Sequence, residues 1–83
     1  MNFGDNLALI RKSKGFTQET LAKAVGVAKT TITGYERGNR EPNIPMIFKL
    51  SEVLEVTGNA LLGVPDPAQQ VETKNYPKTK NVY

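Results

Sequence analysis

Lys29, Thr30 and Thr33 are the residues whose types and spacing could do chemistry. On a helix from Lys29 to about Arg37, Ile32 and Tyr35 turn to one side and these three to the other, with Gly34 beside them. A lysine can donate to guanine O6 and N7, and a threonine offers a hydroxyl plus a methyl that can meet the methyl of thymine. That face is short, polar and compatible with a DNA major groove; the alternative is an ordinary solvated helix face. Gly34 has no side chain to read with, so it either lets a backbone approach closely or leaves its position silent. Thr31 is read as a phosphate-backbone or neighbouring-helix contact rather than as a reader.

Such a face needs a rigid mount, and the stretch Gln18 to Arg37 supplies one. It reads as two short helices joined by a tight turn at Gly26, the first with Leu21, Ala22 and Val25 inward and the second with Ile32 and Tyr35. Ala22 stands where the second helix crosses close to the first, and Gly26 where the backbone needs positive φ to turn. A small residue, a glycine four positions on and an apolar residue six beyond that (Ala22, Gly26, Ile32) describe a helix-turn-helix, whose second helix lies in a major groove.

From about Leu7 to Gly63 the chain resembles the phage repressor and Cro family. The motifs stand in order: an Ile-Arg near the start, Thr17-Gln18 at the second helix, Gly26-Val27 at the turn, Tyr35-Glu36-Arg37-Gly38 closing the third, Pro42, then a Leu-rich segment. The resemblance implies an all-α fold, a compact bundle of about five short helices of lambda-repressor type. It puts base contacts on Lys29, Thr30 and Thr33, with Gly34 also groove-facing. It implies that Gln18 holds the DNA backbone and braces the recognition helix. Free amides at a helix N-terminus would help Gln18 and the capping Thr17 meet a phosphate. It implies backbone contacts from the loop Arg37, Asn39 and Arg40, with the Tyr35 hydroxyl within reach of another phosphate. Finally it suggests an ion pair between Arg11 and Glu36, fixing the first helix to the third.

The remaining elements follow from capping and periodicity. The first helix begins just after Asn2 and runs to about Lys14, with Asp5 in its first turn and Phe3, Leu7 and Ile10 near one face. The reading helix departs from good design: Ala28 occupies the N-cap position, Lys29 puts a cation at the positive pole, and Thr30, Thr31, Ile32, Thr33 and Gly34 all lower helix propensity. Local violations of this kind are expected where function overrides stability. Asn43 caps a helix from about Ile44 to Leu54 with Ile47, Leu50, Val53 and Leu54 inward, and Thr57 caps a last short helix carrying Leu61 and Leu62. Spare apolar surface at Met46, Phe48, Leu61 or Val64 is expected at a dimer interface; the alternative is plain core packing, which is favoured for Leu61 and left open for Leu62.

Composition narrows the function classes. The 83 residues include no cysteine and no histidine, which removes disulfides, the usual metal ligands and the usual general base, so neither cofactor, metal nor enzymatic activity is expected. Asp5, Glu19, Glu36 and Glu41 are accounted for by capping, pairing and surface. The net charge is +3, and residues 1–41 carry that whole excess, which suits a polyanion. With no secretory signal and no membrane-spanning run, a cytoplasmic location is expected. Residues 1–65 read as the DNA-binding domain and 66–83 as a flexible tail or linker. That tail is either natural or the start of a removed assembly domain. The expected function is a sequence-specific double-stranded-DNA-binding transcriptional regulator of phage or prophage repressor type, a homodimer on a near-palindromic operator. The alternative is an antitoxin or adaptor on the same fold, meeting a protein partner through the tail.

Overall fold

In the computed structural model, which describes residues 2–63, the chain folds into five α-helices: α1 Phe3–Ser13, α2 Gln18–Val25, α3 Lys29–Arg37, α4 Ile44–Leu54 and α5 Gly58–Leu62. Val64, Pro65 and the tail assigned to 66–83 lie outside the described residues. Each start except one is fixed by a side chain. Asn2 accepts from the Asp5 amide at 2.8 Å, Asn43 from Met46 at 2.9 Å and Thr57 from Ala60 at 3.0 Å. At α2 the cap is reciprocal: the Thr17 hydroxyl accepts from the Thr20 amide at 3.0 Å while Thr20 Oγ1 accepts from the Thr17 amide at 2.9 Å. Only α3, with Ala28 at its N-cap, starts without a side-chain bond.

The turn between α2 and α3 depends on Gly26, whose φ of +81° lies in the left-handed region and brings its amide back to the α2 carbonyls. Among the described residues, one non-glycine residue adopts the same conformation: Glu55 ends α4 at φ +57°.

All five helices supply the core. Leu7 comes from α1; Leu21, Ala22 and Val25 from α2; Ile32 and Tyr35 from α3; Leu50 and Leu54 from α4; Leu61 from α5. Each fully buried leucine or isoleucine contributes about 1.5–3 kcal/mol through removal from water. The same residues set the topology: α3 packs on both α2 and α1, α4 on α2, and α5 closes the bundle against α1 and α4. Leu61 is fully buried, so of the two last leucines only Leu62, 48% exposed, is left at the surface.

Asn6 and Gly4 make long-range contacts that help hold α1 in place. Asn6 Nδ2 donates to the carbonyls of Ala60 at 2.7 Å and Leu61 at 2.8 Å, satisfying the end of α5. Gly4 lies flat against the end of α3, where a Cβ would collide with the carbonyl oxygens of Tyr35 and Glu36. Neither contact was anticipated from the sequence. A glycine in the first turn of a helix, where alanine would be better by about 1 kcal/mol, is the one signal that could have pointed to the second.

Candidate nucleic-acid interface

The exposed side of α3 and the loop behind it form one shallow groove, lined by Lys29, Thr30, Thr33, Gly34, Arg37, Asn39 and Arg40. Three of those residues are cations and none is a carboxylate, so the surface is suited to an anionic ligand. Lys29 and Thr30 are exposed at the start of α3, and Thr33 is half-buried one turn on. The four residues expected at the bases therefore share a surface with the loop residues expected at phosphates.

Gly34 occupies an unexpected place in that surface. It is buried, and what covers it is the side chain of Arg40, whose Cδ and Cγ lie 2.9 and 3.0 Å from where a Cβ on residue 34 would stand. The loop is drawn over it by the Gly34 carbonyl, which accepts from the Asn39 amide at 2.9 Å and the Arg40 amide at 3.2 Å. The glycine thus gives up its own side chain and admits an arginine stem arriving from the loop.

Behind the groove, four side chains from three helices form a continuous chain of hydrogen bonds. Arg11 on α1 donates to Glu36 on α3 through Nε at 2.6 Å and Nη2 at 3.2 Å, and its Nη1 donates to the Phe16 carbonyl at 2.8 Å. The two side chains are 9% and 8% exposed, so the pair is desolvated and bidentate. Gln18 at the start of α2 donates from Nε2 to Glu36 Oε1 at 2.9 Å, and its Oε1 accepts from the Thr33 hydroxyl at 3.0 Å. Gln18 accordingly ties α2 to the reading face, with one amide hydrogen left over for a phosphate.

The other residues named for phosphate contact lie outside the groove lining. Thr17 is exposed but spends its hydroxyl on the α2 cap, Thr31 is half-buried, and Tyr35 is a core residue at 7% exposure. No group of acidic residues capable of holding a metal occurs among the described residues. None of their helices is long and apolar enough to cross a membrane.

A second surface shares no lining residue with the first. Phe3, Ile44, Ile47, Phe48 and Leu62 line an apolar groove between α1, α4 and α5, with Ile44 71% and Phe48 66% exposed. Met46, expected among the spare apolar residues, is instead partly buried against the core; Leu61 is inside it, as core packing favoured, and Val64 lies outside the described residues.

The arrangement recurs in solved structures. The restriction-modification controller protein C.AhdI from Aeromonas hydrophila matches with a TM-score of 0.68 and 37% identity over 71% of this chain and 89% of that one. The P22 c2 repressor, solved with a synthetic operator, matches at a TM-score of 0.70 with 32% identity, covering 75% of this chain and 94% of the solved chain. Among curated relatives, the HTH-type transcriptional regulator YqaE of Bacillus subtilis is 37% identical over 60 residues, 72% of this chain and 52% of the relative. The chain spans about half the length of the curated relatives it matches. The fold is lambda-repressor-like, with α2 and α3 as its helix-turn-helix. Residues 7–61 match the helix-turn-helix family, and the chain belongs to that family, in its Cro and phage-repressor branch.

Proposed function

We propose that the chain is a sequence-specific DNA-binding transcriptional regulator of the phage or prophage repressor type, and that it lays α3 in the major groove of an operator. The carrying observation is the single groove that joins Lys29, Thr30 and Thr33 to Arg37, Asn39 and Arg40, with three cations and no carboxylate. The likeness to the P22 c2 repressor, solved on an operator, supports this reading. Lys29, Thr30 and Thr33 face the bases in this scheme, while Gly34 makes room for Arg40. Arg37, Asn39, Arg40 and Gln18 hold phosphates, assisted by Thr31 and Tyr35. Phosphate contacts place the protein, and base contacts give it a sequence.

One α3 reads only a few base pairs, so the chain acts as a homodimer on an inverted repeat with half-sites about 34 Å apart. The apolar groove bearing Ile44 and Phe48 supports that assembly, because such a surface gains by being covered. Repression follows from occupying a promoter, and a cytoplasmic location goes with a DNA target.

Selection from randomised duplexes, run on the wild type and Lys29→Ala in parallel, tests the proposal. The expected result is an inverted repeat whose consensus the variant relaxes at one position per half-site. Binding that appears only at low salt and yields no consensus would refute it.

A further inference from the structure

The hydrogen-bond chain behind the groove fixes which part of Thr33 is available to a ligand. Arg11 can only donate, and its bidentate grip leaves Glu36 as an acceptor. Gln18 must therefore turn its amide nitrogen toward Glu36, at 2.9 Å, and its amide oxygen toward Thr33, at 3.0 Å. An amide oxygen only accepts, so the single hydroxyl proton of Thr33 is spent inside the protein. Thr33 still lines the groove. With its one proton spent on Gln18, Thr33 has no donor left for the groove, and its methyl is the apolar contact it can offer there.

We propose that Thr33 is a methyl reader: it selects thymine through contact with the C5-methyl group and donates no hydrogen bond to a base. Arg11, Glu36 and Gln18 are then positioning residues that set this preference from behind the helix. The inference rests on the proposed function, since it assigns a mode of reading to one residue of that surface. Thymine alone among the four bases shows a methyl in the major groove.

The test compares Thr33→Ala, Thr33→Val and Thr33→Ser in the same duplex selection. Wild-type binding is then measured on the selected operator with deoxyuridine replacing thymidine at the position that Thr33→Ala relaxes. Thr33→Val keeps the methyl and loses the hydroxyl, so it retains the thymine preference while binding all sequences somewhat more weakly. Thr33→Ser keeps the hydroxyl and loses the methyl, so it relaxes the position as Thr33→Ala does. Deoxyuridine, which lacks only the methyl, weakens wild-type binding about fourfold per half-site and leaves Thr33→Ala unaffected. Retention of the preference by Thr33→Ser with loss in Thr33→Val would overturn the proposal, as would equal wild-type affinity for uracil and thymine. A wild-type consensus that no Thr33 variant alters overturns this inference and leaves the proposed function standing; absence of any wild-type consensus overturns both.

Discussion

Arg11 carries a full charge into a site where its side chain is 9% exposed, and everything around it is arranged to accept its hydrogens. Such a pair is not a large net source of stability, because desolvating two ions offsets most of their attraction. Breaking it is another matter. Arg11→Met leaves the Glu36 carboxylate facing Gln18 alone and deprives the Phe16 carbonyl of its donor, and the expected cost is about 3 kcal/mol, read from urea denaturation. Replacing both partners together, Arg11→Met with Glu36→Leu, should cost at least about 1 kcal/mol less than the sum of the single changes. Additive losses would show that the two side chains are not coupled. On the reading face, Lys29→Ala removes a base contact alone, while Thr33→Ala and Thr33→Val also break the hydrogen bond to Gln18, so duplex selection, which reads sequence preference rather than stability, is their measurement.

At the scale of the helices, α3 is the weakest by its own sequence and the best supported by its neighbours. Its cap is missing and its threonines and Gly34 lower its propensity, while Ile32 and Tyr35 are buried against α2 and α1. Tertiary packing holds it, as it does most short helices in water. The close approach of α1 at Gly4 is part of that support. Gly4→Ala puts a methyl 2.7 Å from the Tyr35 carbonyl oxygen and closer still to that of Glu36. Both are backbone atoms, so α1 must move away from α3. The expected loss is about 2 kcal/mol, or roughly 10 °C in melting temperature for a domain of this size. Gly58, at the start of α5 with open space around it, is the control. Gly58→Ala should leave the melting temperature unchanged or raise it slightly. Equal effects at the two glycines would contradict the packing account.

The molecule as a whole presents two surfaces of opposite character: a cationic groove around α3 and an apolar one where α1, α4 and α5 meet. In the proposed dimer the second surface is the interface and the first meets the duplex. Phe48 is 66% exposed and lies outside the core, so Phe48→Glu should leave the helical circular-dichroism spectrum intact. Sedimentation should show the variant as a monomer at concentrations where the wild type associates, with operator affinity reduced at least about tenfold by the loss of linked binding. Unchanged association would move the interface elsewhere.

The five helices, their caps at Thr17, Asn43 and Thr57, and the turn at Gly26 were all determined by the sequence itself, because capping and helical periodicity act over three or four residues. So was the division of α3 into an inner face of Ile32 and Tyr35 and an outer face of Lys29, Thr30 and Thr33. Tertiary structure alone decided what joins distant positions: Asn6 to the end of α5, 54 and 55 residues away, Gly4 to the carbonyls of α3, and Arg40 to the space above Gly34. It also decided the direction of the hydrogen bond at Thr33, which depends on a chain of donors and acceptors running through three helices. Local rules place side chains on faces; which atom of a side chain faces outward is set by partners that only folding brings within reach.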